Sequence, residues 1–213
     1  MRRLLSFHAL LVYLFLYLPI LVVVALSFNE SRRGVHFTGF TLKWYQGLFQ
    51  DPRVLEYFAN TLVVALVSTL VSTVLGTLLA LGLVLYRFPG KGFLRYLLYV
   101  PVVVPDVVMG VSLLLLFAFS RELLGFPRLS LLTVILGHIT FQVAFVTLVV
   151  RSRLLLLDPA LEEAARDLGA RGFQTFLHVT LPLAWPGVAA GALLALTLSM
   201  ADSVVTVFSA GPV

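Results

Sequence analysis

Four polar side chains stand inside otherwise apolar stretches of this sequence: Asp106, His138, Gln142 and Asp202. An ionised carboxyl at the centre of a bilayer costs at least ~2.5–3.5 kcal/mol on insertion scales, so it faces protein or a water-filled path. Two such acids can serve as counter-charges for a travelling cation, or, together with His138, as an ion relay. Asp106 has a second reading as a structural carboxyl, satisfied by His138, Gln142 or a partner subunit. His138 and Gln142, four residues apart, either line a path together or hydrogen-bond a neighbouring helix. Nothing among these groups resembles catalytic machinery. The four His residues show no zinc spacing. Gly90-Lys91-Gly92 lacks the upstream Gly and the following Ser or Thr of a P-loop. No nucleophile stands by a base, which disfavours a membrane-embedded enzyme.

The elements that must position these residues are membrane spans. Of 213 residues 60% are apolar and 12% charged, and the mean hydropathy is +1.04. A soluble core of this size cannot hide that much apolar surface. The absence of Cys excludes a disulfide framework. The net charge of +5 comes from Lys and Arg in short runs between apolar stretches, which is a topology signal rather than a nucleic-acid face. Five segments have the ~20 apolar residues a spanning helix needs: 4–28, 59–86, 94–119, 131–150 and 188–208. The first is longer than the ~7–15-residue core of a signal peptide. With the N-terminus inside, nine basic residues fall on the cytoplasmic side (Arg2, Arg3, Arg87, Lys91, Arg95, Arg151, Arg153, Arg166, Arg171). Six fall outside (Arg32, Arg33, Lys43, Arg53, Arg121, Arg128), so the N-terminus is expected in the cytoplasm.

This reading places Asp106 about twelve residues, or ~18 Å, into the third span, and Asp202 towards the outer end of the fifth. Ser68, Ser72, Gly76 and Ala80 recur every four residues, as do Gly187, Gly191, Ala195 and Ser199; both stripes allow close helix packing. In the outer loop Leu42, Trp44, Tyr45, Leu48 and Phe49 fit either a short interfacial helix or an ordinary loop with apolar anchors. Asp51-Pro52 suits a helix start.

The loop 151–187 is too long for a mere connection. Asp158-Pro159 offers a helix start and Gly169 a stop. Between them Leu161, Ala164, Ala165 and Leu168 form one apolar stripe, and Glu162 and Arg166 pair at i, i+4. The expected product is an amphipathic helix of about three turns, ~15 Å long. By amphipathicity alone its stripe lies on the membrane or on its own bundle, or it meets another protein. Pro182 and Pro186 are expected to make a stiff connection into the fifth span.

The spacing Glu163-Ala164-Ala165, three residues, Gly169, nine residues, Val179, one residue, Leu181-Pro182 resembles the EAA motif of binding-protein-dependent ABC importer permeases, with Val179 in place of Ile. Phe37 through Tyr45, Pro105 through Met109, Asp167 through Ala170, Thr197 through Asp202 and Phe208 through Pro212 extend the likeness over nearly the whole chain. They carry it towards the spermidine/putrescine permeases. The resemblance implies an all-α membrane protein, a polytopic transmembrane helix bundle of the type I ABC importer class. It implies a non-catalytic permease subunit in a bacterial inner membrane, moving polyamines or another solute such as ferric iron, thiamine or sulfate.

The residues it assigns to ATPase coupling are Glu162, Glu163, Ala164, Ala165, Gly169, Leu181 and Pro182. Its implied partners are a second related permease subunit, an ATP-binding cassette ATPase dimer that holds ATP and Mg, an external solute-binding protein and membrane lipid, with no nucleic acid. No cofactor is expected in this chain. Where the polyamine permeases place two adjacent acids, this sequence has Ala201 before Asp202. The sequence stops at Gly211-Pro212-Val213, so five spans are visible of an expected six. The rival class, an ATP-independent secondary transporter using Asp106, His138 and Asp202, leaves the EAA spacing unexplained.

Overall fold

The structure, a computed structural model, describes residues 2–31 and 36–211. Arg32 and Arg33, counted above as outer charges, and Pro212 and Val213 lie outside the described residues. The chain divides into two compact units, Met1–Ala59 and Asn60–Val213.

In the first unit α1 (Arg2–Ser27) leads to α2 (Lys43–Gln50) and the start of α3 (Pro52–Leu85). The connection is organised by Asn29, which is fully buried. Its Oδ1 accepts the Thr38 N–H at 2.9 Å, its Nδ2 donates to the His36 carbonyl, and its own carbonyl accepts the Trp44 Nε1–H at 2.9 Å. Phe28 stacks on Phe40 and Tyr45. The expected aromatic helix is α2, and none of its side chains is buried. Asp51 Oδ1 accepts the Arg53 N–H at 2.9 Å and Pro52 takes the first helical position, where a missing N–H costs nothing.

The second unit continues with α4 (Lys91–Leu97), α5 (Val100–Val103), α6 (Asp106–Leu124), α7 (Leu131–Leu154), α8 (Ala160–Asp167) and α9 (Gly172–Thr175). A π-helical turn (Phe176–Thr180), α10 (Leu181–Ala201) and α11 (Val204–Ala210) complete it. Among the described residues, five helical stretches are long and apolar enough to cross a membrane: Leu4–Ser27, Pro52–Leu85, Asp106–Leu124, Leu131–Leu154 and Gly172–Ala201. Half of the most apolar stretch of α7 is buried. The two small-residue stripes, on α3 and α10, are buried throughout and meet α7. Val146 of α7 is fully buried, with Gly76 on one side and Gly191 on the other.

Of the boundaries that differ from the sequence reading, three have a clear local cause. The stretch 94–119 is not one helix. Pro105 forces Val104 into an extended conformation (φ −71°, ψ 131°), and α6 starts afresh at Asp106. The depth of ~18 Å expected for Asp106 required an unbroken helix and does not hold. The last span does not start at Val188: helix runs from Gly172 to Ala201, so 172–187 is not loop. A proline inside an α-helix loses one bond and presses on the preceding turn. The wider π turn just before Pro182, in which the Leu181 N–H reaches back to the Phe176 carbonyl, accommodates it. At its other end α10 stops at Ala201, and Asp202 is extended (φ −75°, ψ 125°) before α11. The expected unbroken run to 208 is therefore two helices.

Candidate functional site

The break after Ala201 gives Asp202 its role in the fold. Freed from the helix, its carboxylate turns onto the first turn of α11. There Oδ2 accepts the Thr206 N–H at 3.1 Å and Oδ1 the Val205 N–H at 3.4 Å, so that Asp202 satisfies free N–H groups of the first turn from the residue before the N-cap, Ser203. His138, projecting from α7 and 1% exposed, brings Nε2 to 3.3 Å from Asp202 Oδ2 and 3.0 Å from Thr206 Oγ1. Its Nδ1 lies 2.7 Å from Ser199 Oγ on α10. Ser199 in turn lies 3.3 Å from Ser68 Oγ on α3. One turn further along α7, Gln142 donates to Ser68 Oγ at 3.2 Å and to the Ala195 carbonyl at 3.3 Å, and accepts the Ser72 hydroxyl at 3.0 Å. A buried hydrogen-bonded row thus runs from Ser72 to Asp202 across α3, α7, α10 and the start of α11.

Three of the four sequence candidates meet in this row. His138 and Gln142 do not satisfy Asp106; their bonds go elsewhere. Asp106, exposed at the first position of α6, instead shares a cavity of about 220 Å³ with Asp202. Phe141, Phe145, Met109 and Pro101 are among its walls. Two carboxylates and two aromatic rings around one space can take a cation, by charge and by the ring faces. Sequence reasoning missed Ser68, Ser72, Ser199 and Thr206 as hydrogen-bonding members. It read the first three as merely small, although a serine at a packing position inside a membrane must also place its hydroxyl.

At the far end of α10 lies the amphipathic helix. Asp158 Oδ1 accepts the Ala160 N–H at 3.0 Å, and α8 closes on Gly169 at φ +85°. The Gly169 N–H bonds the Arg166 carbonyl at 2.9 Å and the Ala170 N–H the Ala165 carbonyl at 3.0 Å, which is a Schellman closure. A left-handed residue is required there, and glycine supplies it without a Cβ penalty. The helix has eight residues, shorter than expected. Its stripe is not covered by its own bundle: Leu161 is 47% and Leu168 89% exposed. Glu163 and Ala164 are exposed and Ala165 is half-buried beside an open groove of about 430 Å³ that Gly169, Gln174 and His178 also line. Glu162 turns inward. Its Oε1 accepts the Thr180 hydroxyl at 2.7 Å, and its Oε2 lies 3.4 Å from Arg166. Leu181 and Pro182 open α10 directly after Thr180.

A multi-pass bundle with a buried polar row, a twin-acid cavity and an uncovered amphipathic helix at the opposite end is the build of a membrane transport component. Residues 72–212 match the family described as binding-protein-dependent transport system inner membrane component. The chain belongs to that family and is a multi-pass inner-membrane protein. It is 43% identical over 201 residues to the spermidine/putrescine transport system permease protein PotC of Escherichia coli (strain K12), covering 94% of this chain and 74% of that one. It is 40% identical over 205 residues to the putrescine transport system permease protein PotI of the same organism, covering 95% and 73%. A more distant relative, at 31% over 180 residues, is the molybdate/tungstate transport system permease protein WtpB of Thermococcus kodakarensis, covering 84% and 68%.

Proposed function

We propose that this chain is the membrane-spanning subunit of an ATP-driven polyamine importer, with Asp106 and Asp202 as counter-charges on the path of the cation. The observation that carries this reading is the cavity shared by Asp106 at the start of α6 and Asp202 in the break after α10, with Phe141 and Phe145 among its walls. The names of the relatives at 43% and 40% identity point to the same solute class. An oxyanion such as molybdate would be repelled by the same two carboxylates, which favours polyamines over the solute named for the more distant relative.

In this reading the chain carries no catalytic group or cofactor. A partner ATPase dimer binds ATP and Mg and receives the exposed stripe of α8 together with Glu163. A second related permease completes the path, an external binding protein delivers the solute, and the N-terminus lies in the cytoplasm by the Lys and Arg asymmetry. Leu161 and Leu168, open to solvent, supply apolar surface for such docking.

The test is ATP-dependent polyamine uptake by the complete assembly in proteoliposomes. Asp106→Asn and Asp202→Asn should each lower uptake about tenfold or more, the effect of losing a charge-assisted contact of ~1.5–3 kcal/mol. Unchanged uptake in both variants would rule out the counter-charge role.

A further inference from the structure

His138 is unlike a path-lining residue: the cavity wall does not include it, and it is 1% exposed. Its Nε2 nevertheless lies 3.3 Å from an oxygen of the carboxylate that the cavity does include, beside the Thr206 hydroxyl at 3.0 Å. We infer that His138 is a positioning residue that pins one oxygen of Asp202 and thereby presents the other to the solute. This rests on the proposed counter-charge role of Asp202.

A carboxylate has about four lone-pair sites on its two oxygens. Oδ2 of Asp202 accepts the Thr206 N–H at 3.1 Å and faces the Thr206 hydroxyl at 3.4 Å, which is as near the Asp202 carbonyl, and His138 Nε2 at 3.3 Å, which is 3.0 Å from that hydroxyl. Oδ1 has a single long bond, from the Val205 N–H at 3.4 Å. Acceptor capacity therefore remains on Oδ1, and the cation takes that oxygen. For His138 to hold Oδ2, its Nε2 must carry a proton, because a bare lone pair there would face the negative oxygen. The imidazole cannot swing away. Ser199 Oγ holds Nδ1 at 2.7 Å, and Ser199 is braced by Ser68, which also accepts from Gln142. The row from Ser72 to His138 thus fixes a rotatable carboxylate with a support that never touches solute. Such buried networks are stiff when every member has a partner.

The experiment has two arms on the complete assembly. In the first, 15N-histidine solid-state NMR of the assembly in lipid, with the His138 signal identified by its loss in His138→Gln, reads the ring directly. A protonated Nε2 supports the inference, and a bare Nε2 overturns it. In the second, uptake is compared between two substitutions at equal assembly yield. The amide nitrogen of Gln occupies roughly the place of Nε2, whereas that of Asn occupies roughly the place of Nδ1. His138→Gln should keep uptake within about threefold of the unmodified assembly, and His138→Asn should lose about tenfold, the cost of a charge-assisted bond. Equal loss in both, or none in either, overturns the inference. If Asp202→Asn itself leaves uptake intact, the counter-charge reading falls instead. The NMR arm stands even where a substitution lowers yield.

Discussion

Placing one methyl group at position 76 puts the packing of α3 on α7 to a direct test. A Cβ built on Gly76 would sit 2.8 Å from both Cβ and Cγ1 of Val146 and 3.1 Å from the Thr147 backbone nitrogen. Ordinary contact begins near 3.4 Å, so Gly76→Ala must part the helices locally by about 0.6 Å. One turn back on each helix, Ser72 and Gln142 are joined at 3.0 Å. The same displacement takes that bond to roughly 3.6 Å, beyond hydrogen-bonding range. Overpacking costs about 1–3 kcal/mol. The lost intramembrane bond adds about 0.6, up to 1.7 kcal/mol, and alanine's helix preference returns about 1 kcal/mol. The net expectation is a loss of about 1–3 kcal/mol.

Gly82, on the same helix, has nothing within 4 Å of the position a Cβ would take, so Gly82→Ala is the control and should be neutral or stabilising. Thermal unfolding of the detergent-solubilised protein, followed by circular dichroism, reads the difference. Because Val146 Cβ is itself at 2.8 Å, Val146→Ala should not rescue Gly76→Ala, whereas Val146→Gly should interact favourably with it. Equal midpoints for Gly76→Ala and Gly82→Ala would refute the packing argument.

The two ends of the proposed coupling segment give further predictions. Gly169 at φ +85° should reject β-branched residues: Gly169→Val should cost about 1–2 kcal/mol locally and reduce ATPase co-purification, while Gly169→Asn, which tolerates the left-handed region, should reduce it less. Removing either side of the Glu162–Thr180 bond, by Glu162→Ala or Thr180→Val, should lower solute moved per ATP hydrolysed about fivefold, the equivalent of ~1 kcal/mol. Thr180→Ser should retain the ratio. The double variant should be no worse than either single, and additive losses would show that the two side chains do not act through one another.

How legible was this in the residues? Hydropathy pointed to the same five regions that hold helices long and apolar enough to cross a membrane, because twenty apolar residues in a row leave few alternatives. The start and stop of α8 were legible from Asp158 and Gly169, since N-capping and a left-handed closure demand particular side chains locally. The breaks at Val104 and Asp202 were not read, although Pro105 and the Asp-Ser pair before an apolar run are local signals for each; continuous hydropathy hid them. The π turn ahead of Pro182 was hidden for the opposite reason. Prolines announce a break, and the chain absorbed this one by widening a turn. The candidate acids were legible as costly residues in apolar surroundings, but their company was not. That His138 would meet Asp202 and not Asp106 depends on how α7, α10 and α11 cross, and no spacing within one helix encodes a crossing.

Those crossings also decide how motion at α8 can reach the cavity in the proposed cycle. Helix continues from Gly172 to Ala201, thirty residues or about 45 Å, with Thr180 near one end and Ser199 near the other. The π turn at Phe176–Thr180 interrupts its α-helical bonding. Just beyond it the helix is locked to α7: Arg153 Nε donates to the Leu183 carbonyl at 3.0 Å, and a Cβ on Gly187 would lie 2.5 Å from that of Arg153. From there to Ser199 the small-residue stripe holds α10 against α7, the helix that bears His138 and Gln142. Asp106 stands on α6, which α11 accompanies through the close seating of Phe208 on Gly110. The α7–α10 pair and the α6–α11 pair meet at the extended Asp202 and also along α11, where Thr133 Oγ1 donates to the Ser209 carbonyl at 2.7 Å and Gly137 lies against Val205 and Ser209. In the proposed cycle a push entering through Glu162 and Thr180 would reach α6 by both of these contacts, and the distance expected to change is the one between the two acids of the cavity.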